Sequence, residues 1–402
     1  MAHSHLRRSA ILGAFVSALA LAGCQTETEA PPPVVQAPQP PKPSLSPVVA
    51  EAASVYVNYI AAAQRMDANF ADGDMVQAKL AQGTAYEPAQ LARGALAYAA
   101  IVAMQDPTFR AEVAKMATDP QQRHSIAANI FSDPSYARVL PGADSAARRA
   151  IEALKSDGEA VYNAGAGIKQ AAYDIQRQKW AKDHIKVRDA RLATVKQNSS
   201  TPLMASADHS AELIRAALAG QGLPSHTVAK NAQQSAKPAS SGPSEAAKLS
   251  DALTTGGLSS AVTAESIYAA PYSATIERAL AIAALGLMGN GSDLNAEQLN
   301  ALLDDGSGAR CLSMSKLNLY QCLSVAKPHY EDVFCTGQHV LMDTGQCLGR
   351  MASPALSLAP IRAVKYNADG SVADAYAKAK PYIAPPAPAK KPAPKSSKPK
   401  KK

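Results

Sequence analysis

The chain has 402 residues and is 47% apolar, yet it holds only five Phe and one Trp. Alanine supplies much of the apolar fraction, and alanine is the best helix former with little to bury, so the composition predicts a mainly α-helical protein packed through small residues. The formal net charge of +8 belongs to the ends: Arg7, Arg8 and the seven lysines of 384–402 outweigh it, and the stretch between carries one net negative charge. A nucleic-acid-binding body carries its own basic face, so that class is excluded, and no nucleic-acid partner is expected.

The first elements are those of an export signal. Arg7-Arg8 precede an apolar run from Ala10 to Ala22, the n-region and h-region of a secretory leader. The run is too short to span a bilayer, which takes about 20 apolar residues. It closes on Leu21-Ala22-Gly23-Cys24, with Gln25 after it. These residues resemble the lipobox of bacterial lipoproteins. The resemblance covers residues 1–24 only and implies cleavage after residue 23 and lipidation of Cys24. Gln25 in place of the Asp that tends to hold lipoproteins at the inner membrane implies an outer-membrane protein facing the periplasm. Two or more acyl chains make a stable anchor, so the expected membrane contact is through lipid. Residues 24–47 carry Pro31-Pro32-Pro33, Pro38, Pro40, Pro41 and Pro43 and read as a disordered spacer; fully extended, it reaches about 70 Å.

A helical domain is expected over 48–200. Val48, Val49, Ala52, Val55, Tyr56, Tyr59 and Ile60 recur at helical spacing, a second helix covers 74–82, and a third begins at Pro88 and is apolar nearly all round to Met104. Asp106-Pro107, Asp119-Pro120 and Asp133-Pro134 each pair an N-capping acid with a first-turn proline, which predicts short helices over 107–117, 120–132 and 134–139. From Ile151, a 3–4 spacing runs through Leu154, Gly158, Val161, Gly165, Ile168, Ala172 and Ile175, a heptad seam with one large and one small position. It predicts a single helix over about 143–196, some 80 Å long, pairing with helices 48–104 or, as the alternative, with a second copy along 151–175.

Residues 201–244 read as a flexible linker, plain in Lys237-Pro238-Ala239-Ser240-Ser241-Gly242-Pro243, with a short isolated helix at 213–219. A second domain over 245–383 should hold helices at 245–253, 265–288 and 295–303. Its stretch Arg278–Ala284 resembles Gly94–Ala100, as a duplication or as shared Ala/Leu bias.

This domain also holds Cys311, Cys322, Cys335 and Cys347. An even count in an exported chain reads as two disulfides. Loop length favours Cys311 with Cys322 and Cys335 with Cys347, the second closing a hairpin or helix–turn element around Gly337 and Asp343-Thr344-Gly345. Zinc on Cys335, His339 and His329 is the rival, but paired close cysteines are missing, so neither a metal nor a cofactor is expected. The tail 384–402, with Lys390, Lys391, Lys395, Lys398, Lys400, Lys401 and Lys402 spaced by Pro and Ser, has nothing to bury and reads as a disordered polycation for peptidoglycan or another anionic envelope polymer. Lys402 also resembles the C-terminal lysine through which some outer-membrane lipoproteins are joined to peptidoglycan. The histidines are scattered without a catalytic signature. The sequence therefore points to a non-enzymatic, lipid-anchored scaffold or tether of the cell envelope; an assembly or binding subunit is the second reading and an exported hydrolase the third.

Overall fold

Five helix starts share one local design: a proline at the first position behind a capping side chain. In the computed structural model, which describes residues 39–223 and 264–358, these are α1 (Pro47–Gln64), α3 (Pro88–Met104), α4 (Pro107–Met116), α5 (Pro120–Ser132) and a 3₁₀ turn at Pro134–Val139. Ser46, Glu87, Asp106, Asp119 and Asp133 each accept a hydrogen bond from a first-turn backbone N–H. The three Asp-Pro pairs thus act as the caps the sequence predicts. Helix α2 (Gly73–Thr84) starts on Asp72 without a proline.

Helix α3 is the axis of the body. Every residue from Gly94 to Met104 is buried, and α1 crosses close beside it, with Gly94 at the crossing: a Cβ there would lie 2.7 Å from the carbonyl oxygen of Ala52. On its other sides stand α6 (Ala143–Ile175), α11 (Ala274–Leu287) and α13 (Gly306–Val325). The similar stretches 94–100 and 278–284 are therefore neighbours, at the centre of one core.

That core corrects the expected division into domains. Residues on either side of the 201–244 stretch bury each other, and from Pro40 the described chain forms one unit. The expected linker is itself partly structured, because α9 (Ala207–Ala219) buries Leu213 and Ala217 against α1 and α3. The end of the expected spacer is also packed: the Ser44 N–H donates to the carbonyl of Gly286, and Leu45 is buried. Residues 24–38, the 237–253 stretch and the 384–402 tail lie outside the described residues.

Helix α6 buries its whole seam, but not mainly against 48–104. Its chief partner is the C-terminal segment, a π-helical turn at Thr336–Met342 running into α15 (Asp343–Ala352). The seam is used within the chain, so 151–175 offers no free heptad face to a second copy. Nor does the helix reach 196. Past Ile175 the residues Gln176, Arg177 and Gln178 give the seam no apolar side chain; the chain turns through α7 (Lys179–Lys182), and α8 (Arg188–Ser199) comes back onto α2 and α13. The turn is fixed by the Ile185 N–H donating to the carbonyl of Lys327.

A continuous helix over 265–288 is likewise corrected. Helix α10 (Ala264–Ile267) stops short, since Pro271 cannot sit inside a helix, and α11 restarts on a Ser273 cap. After a 3₁₀ turn at Asp293–Asn295, α12 (Ala296–Leu302) fits the predicted helix at 295–303.

The disulfides are Cys311–Cys347 and Cys322–Cys335, not the short-loop pairing. Cys311 and Cys322 both lie on α13, where eleven residues at 1.5 Å rise separate them by about 16 Å, while a disulfide needs Cα atoms within about 7 Å. Cys335 ends α14 (His329–Cys335), and the chain continues helically to Cys347. The glycines read as turns, Gly337 and Gly345, are therefore helical. The module is stapled, as expected, but across helices. No strand occurs among the described residues, and no described helix is long and apolar enough to cross a membrane.

Candidate functional site

Cys24 and all seven tail lysines lie outside the described residues, so the structure places only the four body cysteines among the predicted sites. Each disulfide ties α13 to a different neighbour, Cys347 in α15 and Cys335 in α14. The zinc rival loses its cysteine to the second bond. His339 instead pairs with Asp343, Nδ1 to Oδ2 at 2.8 Å, and among the described residues no three His, Cys, Asp or Glu side chains converge to hold a metal.

One concavity among the described residues is announced by no sequence motif. It is an open cleft of about 720 Å³ between the end of α3 and the first turns of α6, with Gly222 and Leu223 after α9 at its rim. Tyr98 and Val102 give it an apolar side, and Gln105, Asp106, Arg148 and Arg149 a polar one. Asp106 is fully engaged: one oxygen caps α4 at Phe109 N, 2.8 Å, and the other accepts from Ser145 Oγ, 2.7 Å. Arg148 lies over the ring of Tyr268, 4.6 Å from its centre. The Tyr268 hydroxyl donates to Glu152, which is also paired with Lys155. Gln105 differs from these. It is only 3% exposed, and its amide nitrogen has no hydrogen-bond partner.

Behind Tyr98 is a buried carboxyl. Asp157 of α6 accepts a hydrogen bond from Tyr56 of α1, 2.9 Å. Burial pushes its pKa up to about 7, although the Tyr56 bond pulls the other way. Burial and the Asp157 charge raise Tyr98 as well. A carboxyl poised near neutrality beside a cleft is a group that can hold or release a proton in a physiological range.

Two further buried charges serve the frame. The Lys316 ammonium lies 3.4 Å above the ring of Tyr86 and donates to the carbonyl of Thr84, the last residue of α2, at 2.7 Å. Burial holds its pKa well below the usual lysine value. Arg191 of α8 donates to both Asp332 and the carbonyl of Leu323, and Gln77 donates to the other Asp332 oxygen, 2.9 Å. The sequence carries a signal for two of these residues: Asp157 interrupts the apolar stripe Leu154–Val161, and Lys316 the stripe Leu312–Leu319. Gln105 carries none, because it is the residue on which α3 ends.

No known protein family matches the chain, and neither a curated protein nor a solved structure matches it.

Proposed function

We propose that this is an exported, lipid-anchored protein of the bacterial envelope that tethers or scaffolds without catalysis. It is held in the outer membrane through Cys24, faces the periplasm, and contacts an anionic envelope polymer through Lys390, Lys391, Lys395, Lys398, Lys400, Lys401 and Lys402. The observation that carries this reading is that all four body cysteines are joined in disulfides. Structural disulfides belong to oxidising compartments outside the cytoplasm, which agrees with the leader and with the lipobox-like Leu21-Ala22-Gly23-Cys24. The shared core suits the role, since one rigid body between an anchor and a cationic tail can hold a spacing.

Two measurements test the proposal. Wild type should take up labelled fatty acid and fractionate with membranes, and Cys24→Ala should do neither. On purified sacculi, deleting 384–402 should remove most of the binding that salt weakens, because surface charges are screened beyond about 8 Å at physiological ionic strength. Unlabelled wild type would overturn the anchor, and equal binding with and without the tail would overturn the tether. The second reading, a binding subunit of an envelope complex, is favoured by the cleft and by the orphaned amide of Gln105 in its wall.

A further inference from the structure

The turn between α6 and α8 carries positive charge that the rest of the protein does not answer. Residues 176–187 hold Arg177, Lys179, Lys182 and Lys186 against the single acid Asp183. All four cations are exposed, and none makes a side-chain hydrogen bond or ion pair among the described residues. Lys327, in the loop after α13, is exposed and equally unpaired. Counting Arg188 and the flanking acids Asp174, Asp189 and Glu331, six cations stand against four acids, in a body whose net charge is negative. The turn is laid antiparallel against the end of α13: His184 bridges Pro328, the Ile185 N–H donates to the Lys327 carbonyl, and Arg188 donates to the Ser324 carbonyl, 2.6 Å. The same register sets Val187 opposite Val325. These two are 67% and 71% exposed, an apolar pair among basic residues. Val325 also borders an apolar pocket of about 260 Å³ whose wall includes Tyr173, Tyr330 and Phe334, and Tyr173 is itself half exposed. Trp180, the one tryptophan of the chain, lies in α7 among the cations and is half-buried.

The surface that covers this face must meet free cations and exposed apolar side chains together. A second copy of the chain would bring the same cations against themselves. An anionic polymer would pair with the lysines and leave Val187 and Val325 in water. A bilayer of anionic phospholipid meets both: its phosphates attract Lys and Arg near the surface, its acyl boundary takes small apolar side chains, and Trp and Tyr settle at the level between. We propose that this face rests on an anionic phospholipid bilayer, with Arg177, Lys179, Lys182, Lys186 and Lys327 at the headgroup phosphates and Val187, Val325 and Tyr173 at the acyl boundary. Long lysine side chains reach the phosphates while their stems lie along the apolar surface. The contact is peripheral, since no described helix is long and apolar enough to cross a membrane. It needs neither the anchor nor the tail and survives the failure of either.

Trp180 is the reporter for the test. Residues 39–402 keep the whole described core and lack the leader and Cys24. With phosphatidylglycerol vesicles, Trp180 emission should shift to the blue and be quenched by a nitroxide on the lipid headgroup; with phosphatidylcholine vesicles neither should occur. Binding through the lysine tail alone would pellet the protein with vesicles and leave Trp180 unquenched, which overturns the proposal. Lys182→Gln with Lys186→Gln should weaken the response about tenfold and flatten its dependence on salt. Val187→Ser with Val325→Ser should weaken it about tenfold and leave the salt dependence as it is. All four positions are exposed, so thermal unfolding should not move. A response as strong on phosphatidylcholine, a response to purified sacculi and not to vesicles, or wild-type binding by either double variant overturns the proposal.

Discussion

Gly165 and Gly337 face each other backbone to backbone where α6 crosses the π-helical turn. A Cβ built on either would lie 2.7 Å from the carbonyl oxygen of the other. One heptad earlier on α6 the relation repeats, with Gly158 against the Gly345 oxygen at 2.9 Å and Gly345 against the Gly158 oxygen at 2.6 Å. The small positions of the seam are small because another helical backbone occupies the space.

Gly165→Ala should therefore destabilise the protein despite the better helix propensity of alanine. Overpacking costs about 1–3 kcal/mol, and the obstructing atoms are backbone, which cannot rotate away. Gly167, two residues on, has nothing within 4 Å of its would-be Cβ, so Gly167→Ala should stabilise by roughly 0.5–1 kcal/mol. Urea unfolding of the two variants should give opposite signs; the same sign for both would refute the crossing.

Asp157 predicts a pH dependence. Its folded pKa is raised by burial to about 7 from an unfolded value near 3.9, so its contribution is fully present below the unfolded pKa and is lost as pH rises toward and through 7. Wild type should lose stability between about pH 4 and pH 8 by an amount that Asp157→Asn does not, on the order of a few kcal/mol. Asparagine keeps an oxygen for the Tyr56 hydroxyl and cannot ionise, so the variant should be the more stable protein at pH 8. Parallel stability profiles for the two proteins would show that Asp157 does not titrate in this window.

The disulfides predict a pattern in mass mapping under non-reducing conditions: one linked peptide pair joining Cys311 to Cys347 and another joining Cys322 to Cys335. Replacing both members of a pair by serine should cost more for Cys311–Cys347, whose ends are 36 residues apart, than for Cys322–Cys335, 13 apart. On loop entropy the values are about 4 and about 3 kcal/mol. Any Cys311–Cys322 linkage in native protein would contradict α13, since one straight helix cannot bring those two sulfurs together.

The sequence by itself determined what is local or periodic. Each Asp-Pro start is a contract between adjacent residues, and Asp106, Asp119 and Asp133 cap as their spacing says. The all-round apolar run to Met104 pointed to a buried helix, and the even count of four body cysteines favoured disulfides. The tertiary structure alone decided which surfaces meet. The seam of α6 announces that some backbone approaches Gly158 and Gly165 but not whose, because a heptad specifies a face and not a partner. Sequence distance misjudged the cysteines, since eleven residues are a short loop when flexible and about 16 Å when helical. The split into two domains failed for the same reason: α3 and α11 lie some 180 residues apart in the chain, and only packing makes them one core. The cleft follows from that packing. Gln105 ends α3, Arg148 and Arg149 lie in the second turn of α6, and they line one cleft only because α3 and α6 are laid side by side.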